Sequence, residues 1–113
     1  MAKTNAAFMS GVPELLVLRL LSRQEMYGYE LVRSIRLSSN ESIALAEGVV
    51  YPTLHSLESR GLLKAKEKLV GNRSRVYYRT TAKGQKRLHE LEGEWDRVSN
   101  GIAAILRRVQ CQS

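Results

Sequence analysis

Apolar residues in this chain recur first at helical spacing, then in alternation, then at helical spacing again. Pro13 and Glu14 make a good helix start, since proline suits the first helical position and an acid suits the positive end of the helix dipole. The run LLVLRLL that follows predicts a mostly buried helix closing near Ser22. A second helix starts close to Tyr27 or Gly28 and turns Leu31, Val32 and Ile35 inward. It stops at LSSN, four residues rich in turn formers. Ile43 and Leu45 alternate with Ala44 and Ala46, which predicts one short strand.

The third helix runs from about Val49 to Arg60, with Gly61 as its C-terminal stop. Val50, Leu54 and Leu57 form its buried stripe, and Pro52, His55, Ser56 and Ser59 fall on the opposite face. That face is small and uncharged. An ordinary surface helix carries Lys and Glu there; a helix that slides into a groove does not. A hairpin follows. Lys64, Lys66 and Lys68 project from one side of its first strand, and Leu63, Ala65 and Leu69 from the other. VGNRSR supplies Gly71 and Asn72 for the turn, and VYYRT makes the return strand. The last helix extends from about Thr81, its N-cap, to Val109. Leu88, Leu91, Trp95, Val98, Ile102, Ile105 and Val109 are spaced 3, 4, 3, 4, 3, 4, as in a helix that packs along another helix. Gly93 and Gly101 weaken it by about 1 kcal/mol each relative to alanine. The order α, α, β, α, β, β is that of a winged helix-turn-helix. The expectation is a mainly α (α+β) fold, residues 1–81 forming the winged unit and 82–113 the long C-terminal helix.

Charge turns this fold into a function. The segment Gly61 to His89 holds nine basic residues and one acid, Glu67, for a charge of +8, whereas the whole chain is +7. The other 84 residues therefore sum to −1. Positive charge localised so sharply calls for a polyanion, and a small helix beside a basic hairpin is a compact grip on a nucleic acid duplex. Other classes fall away. No apolar run approaches the roughly 20 residues of a membrane span, and MAKTNAAFMSG lacks a signal-peptide centre, so a cytoplasmic location is expected. His55 and His89 are far apart and no glycine-rich phosphate loop is present, so no nucleophile–base pair can be named and an enzyme is not expected. No metal-ligand spacing occurs and no cofactor is implied. The single cysteine, Cys111, is either a spectator thiol or the seat of an intermolecular disulfide.

With these residues in view, the chain closely resembles the short form of the PadR family of bacterial transcriptional regulators. The stretches ELLVLRLLSRQEMYGYELVRSI, EGVVYPTLHSLESRGLL, GNRSRVYYRTTAKG and ELEGEWDRVSNGI carry the match. The resemblance implies a homodimer, paired through the C-terminal helix, that binds a pseudo-palindromic operator, usually as a repressor. Some relatives release DNA when a phenolic acid or other planar aromatic molecule binds near the dimer interface. Two positions depart from the family's usual pattern: Val49, where Ser or Thr is common, and Thr80, where Leu is common.

Tyr51, Pro52, His55 and Ser56 are the candidates for the groove-facing surface. Tyr51 either packs or also reaches a phosphate with its hydroxyl; His55 either contacts DNA or is simply solvated. Arg73 and Arg75 at the wing tip meet the minor groove or its phosphates, with Lys64 and Lys66 supplementing the field, and Tyr29 is a further backbone contact. The heptad residues from Leu88 to Val109 are the candidate dimerisation set. Trp95 is either a packed interface aromatic or, with its symmetry mate, a wall of an effector slot between protomers, with Phe8, Val12 and Leu15 as further lining. Two rival functions stand beside a ligand-responsive repressor: an architectural or RNA-binding winged-helix module, and a module that uses the last helix to pair with a different protein.

Overall fold

A helix forms at α1 (Val12–Arg23) because Pro13 and Glu14 occupy its first turn and Arg23 its last, each suited to that end of the dipole. The computed structural model describes residues 11–112, with side chains as far as residue 108. After α1 come β1 (Met26–Tyr27), α2 (Gly28–Ser38), α3 (Glu47–Ser59), β2 (Leu63–Val70), β3 (Arg73–Thr80) and α4 (Ala82–Gln112). The three strands form one antiparallel sheet in the order β1-β3-β2. Val17 and Leu18 of α1, Leu31 of α2, and Val50, Leu54 and Leu57 of α3 are fully buried. Leu63 and Tyr78 close this core on the sheet side and Leu88 closes it on the α4 side. Three helices over a small sheet with a projecting hairpin make the winged helix-turn-helix expected from the sequence.

One expected element is absent. Residues 43–46 form no strand, and the sheet's third strand is Met26–Tyr27 instead. Hydrogen bonding explains the difference. The free edge of β3 pairs with β1, matching Met26 to Tyr78 and Tyr27 to Tyr77, and the Ile43 N–H donates to Ser39 Oγ at 3.0 Å. Leu45 is buried without any ladder. Ahead of α4 the observed order is therefore α, β, α, α, β, β. Helix α2 ends in a left-handed residue, Asn40 with φ 53°, and the Glu41 N–H bonds to the Arg36 carbonyl at 2.8 Å. Asparagine tolerates this conformation better than most residues, so LSSN stops the helix as expected.

Helix α3 stops the same way, with Gly61 at φ 77° and the Leu62 N–H bonded to the Leu57 carbonyl at 2.9 Å. Three carbonyls just past this end are then used by the next elements. Lys83 Nζ donates to the Arg60 carbonyl at 3.0 Å and Thr81 Oγ1 to the Gly61 carbonyl at 2.7 Å. The Thr81 N–H donates to the Leu62 carbonyl at 3.1 Å. Thr81 also caps α4, accepting from the Gly84 N–H at 3.0 Å. Gly84 is the residue that lets α4 approach this closely, since a Cβ there would lie 2.1 Å from the Leu62 carbonyl oxygen.

These contacts predict opposite outcomes for two glycines of α4. Gly84→Ala will lower stability in a urea melt by about 1–3 kcal/mol, the usual range for overpacking. Gly93→Ala, with nothing within 4 Å of the added methyl, will raise it by about 1 kcal/mol through helix propensity.

Candidate nucleic-acid interface

Helix α3 presents a face that stays exposed among the described residues, bordered by the start of α1 near Pro13 and Glu14. Pro52, His55, Ser56 and Ser59 are all exposed along it, while Val50, Leu54 and Leu57 point inward. Pro52 lies inside the helix and so lacks the N–H that would bond the Gly48 carbonyl. The hydroxyls are held close to the helix: Thr53 Oγ1 donates to the Val49 carbonyl at 2.8 Å and Ser59 Oγ to the Ser56 carbonyl at 2.9 Å. The helix begins at Glu47, two residues before the expected start, and its N-cap Ala46 has no capping side chain. Val49 is 39% exposed. Tyr51 is half-buried against the core, and its ring lies on Gly28 at the start of α2, where a Cβ would come within 2.3 Å of Cε1. Tyr29, one residue further on, is exposed.

The hairpin sorts its side chains by sign. Strand register pairs Lys64 with Arg79, Lys66 with Tyr77, Lys68 with Arg75 and Val70 with Arg73, and directly paired residues share a face. Six cations and Tyr77 therefore occupy the outer face, whereas Glu67 lies on the inner face opposite Val76. Gly71 turns the chain with φ 64°. Arg75 stacks over the Tyr27 ring at 4.3 Å and Lys68 over the Tyr77 ring at 5.0 Å. The two rings meet edge to face at 5.4 Å. Lys68 also pairs with Glu25, and chiefly through this hydrogen bond the Glu25 carboxyl is held below its ordinary pKa.

A different set of arginines is engaged within the fold. Glu14 accepts from Arg60 at 3.0 Å and from Arg87 at 3.3 Å, and Arg19 pairs with Glu92 at 3.3 Å. Cations near the core thus pair with acids of neighbouring helices. Among the described residues, Lys64, Lys66, Arg73 and Arg79 have no carboxylate within 4.0 Å.

Comparison with known proteins gives this geometry its setting. The model of the transcriptional regulator PadR-like family matches residues 17–90. The chain belongs to this family. A transcriptional regulator of Mycobacterium tuberculosis, Rv3488, is 32% identical over 83 residues, covering 74% of this chain and 75% of that protein. The crystal structure of a PadR family transcriptional regulator from Eggerthella lenta superposes with a TM-score of 0.76 at 34% identity, covering 88% of this chain and 86% of that one. A transcriptional regulator from Clostridium thermocellum gives a TM-score of 0.80 at 27% identity, covering 88% and 94%. The regulator YqjI of Escherichia coli is 29% identical over 97 residues, 86% of this chain but only 45% of its own length. The PadR-like chain is a DNA-binding transcriptional regulator, not an enzyme.

In this PadR-like fold the heptad residues of α4 divide into two groups. Leu88 is 2% exposed and belongs to the chain's own core, and Leu91 is half-buried against it. Trp95, Val98, Ile102 and Ile105 are between 43% and 63% exposed. The Val109 side chain, like Phe8 and the Cys111 side chain, lies outside the described residues. The pairs Glu14–Arg87 and Arg19–Glu92 set α1 parallel to α4, with partners 73 residues apart in both cases. At that offset Trp95 lies level with Ser22, about 10 Å along the axis from Leu15. Within one chain, Val12, Leu15 and Trp95 are therefore not brought together. Among the described residues, no group of His, Cys, Asp and Glu is arranged to hold a metal ion, and no helix is long and apolar enough to cross a membrane.

Register also reveals what sequence reasoning missed. Tyr77 shares the cationic face because Tyr78, its neighbour, is buried, and that alternation was visible in VYYRT. Tyr27 and Glu25 gave no local signal, since their partners lie about fifty and forty residues away in the chain.

The bridge makes a test of its own. A carboxyl whose folded pKa is depressed stabilises the fold above its unfolded pKa and loses that contribution as pH falls through the folded one. Carboxyl NMR will give Glu25 a titration midpoint below that of an ordinary glutamate, and Lys68→Gln will move it back up. An unchanged midpoint in the variant would remove Lys68 as the cause.

Proposed function

We propose that the chain acts as a homodimeric repressor, paired along α4, that grips a pseudo-palindromic operator and releases it on binding a small planar aromatic molecule. The observation that carries this reading is the exposed stripe Trp95, Val98, Ile102 and Ile105, which continues the heptad pattern past the point where the chain's own core ends. An isolated helix gains nothing from such a stripe; a second copy of the same stripe covers it. In this reading residues 1–81 read DNA and the free part of α4 pairs, while residues near Leu88 serve both.

Each half-site would receive the small, uncharged face of α3 in its major groove, with Pro52, His55 and Ser56 against the base edges and Tyr51 and Tyr29 near the backbone. Arg73 and Arg75 approach the adjacent minor groove, and Lys64 and Lys66 add attraction to phosphate. Fit then comes from α3 and grip from the wing. Dimer symmetry sets two recognition helices about 34 Å apart, one turn of DNA. An effector wedged beside Trp95 and the partner's α1 would change that spacing, and DNA binding would fall.

Two measurements test this. Because grip rests on phosphate neutralisation, log affinity will fall linearly with log salt, and Arg73→Ala with Arg75→Ala will flatten the slope by about 0.9 for each phosphate no longer neutralised. Ile102→Glu will sediment as a monomer and bind DNA at least tenfold more weakly, roughly the loss expected when one of two half-sites is no longer held. A monomeric wild-type chain, or a slope insensitive to the wing arginines, would contradict the proposal.

A further inference from the structure

The wing's outer face continues down to its root, and there it borders a cleft of about 720 Å³. Lys64, Lys66, Lys68 and Arg79 line it, together with Tyr77 and the end of α1 near Arg23. No residue of α3 lines it. The arrangement is costly in isolation. Lys64 directly opposes Arg79 and Lys68 directly opposes Arg75, and like charges facing each other across a strand pair repel. One acid, Glu25, lines the cleft, and it is engaged by Lys68. Lys64, Lys66 and Arg79 face the open cavity with no carboxylate within 4.0 Å among the described residues, and Glu25 acts on Lys66 and Arg79 only at longer range.

We propose that this cleft is a phosphate-binding site separate from the recognition helix. Charge and shape select the ligand. A multiply charged tetrahedral oxyanion can accept from the planar fork of Arg79 and the two lysine ammonium groups together. The cavity is wide enough for more than a single ion, and the half-buried Tyr77 ring gives it a firm wall. Two sources carry this chemistry: the phosphodiester of a DNA strand running past the half-site, and a free phosphorylated small molecule. The proposal shares Lys64 and Lys66 with the DNA reading and requires nothing else from it.

The test is amide NMR of the full chain titrated with inorganic pyrophosphate at low salt. Saturable shifts are expected at Glu25, Lys64, Lys66, Tyr77 and Arg79. Arg79→Ala will weaken binding roughly tenfold, the loss expected for one charge-assisted hydrogen bond. Arg33→Ala, which removes an exposed arginine of α2 outside the cleft, will leave binding unchanged. If added duplex displaces pyrophosphate, the site belongs to a DNA phosphate; if both bind together, it belongs to a free phosphorylated ligand. Non-saturating shifts scattered over all surface lysines, or equal losses in the two variants, would overturn the proposal. Loss of sequence-specific DNA binding in Ser56→Ala and His55→Ala with pyrophosphate binding intact bears on the recognition helix alone.

Discussion

The three residues that lead out of α3 turn their backbone carbonyls away from the helix, and how these are satisfied fixes the neighbouring elements. The carbonyls of Arg60, Gly61 and Leu62 receive Lys83, the Thr81 hydroxyl and the Thr81 N–H, all from the junction of β3 and α4. Helix α3, wing and α4 are thereby fixed at one joint, from residues that lie about twenty apart in the chain. Gly84 lets the joint close, and Glu14 clasps it from the side through Arg60 and Arg87. A change in the direction of α4 must therefore act on α3 and on the wing together. In the proposed dimer, coupling between the pairing helix and the DNA-reading helix needs this kind of stiff connection and no longer path.

Charge is allocated with the same economy. Arginines that would otherwise crowd the core side are paired with Glu14 and Glu92, while Lys64, Lys66, Arg73 and Arg79 share one face of the wing with no carboxylate within 4.0 Å among the described residues. The α3 face has no charge at all. In the proposed function, attraction over distance and fit at contact are assigned to different elements, so that a substitution in one alters affinity and salt dependence while a substitution in the other alters sequence choice.

Much of this was legible in the sequence. The stripe Val50, Leu54, Leu57 oriented α3, and the alternation of Lys64, Lys66 and Lys68 with Leu63 and Ala65 oriented the wing, because one buried face leaves each element a single way to sit. Three things were not legible. Ile43 and Leu45 alternate like a strand, yet the Ile43 N–H is satisfied by Ser39, and no local pattern announces a side-chain partner. Met26–Tyr27 is too short to signal a strand, and its partner is about fifty residues away. The heptad run of α4 is continuous, so periodicity could not tell Leu88, buried at home, from Trp95, which is open.

The central claim is that two copies, paired along α4, hold two α3 helices to one face of a duplex. Hydroxyl-radical footprinting on a selected operator tests it most directly. The predicted result is two protected patches related by a two-fold axis, about one helical turn apart, at a stoichiometry of two chains per duplex. A single protected patch at one chain per duplex, or uniform coating without a boundary, would contradict it.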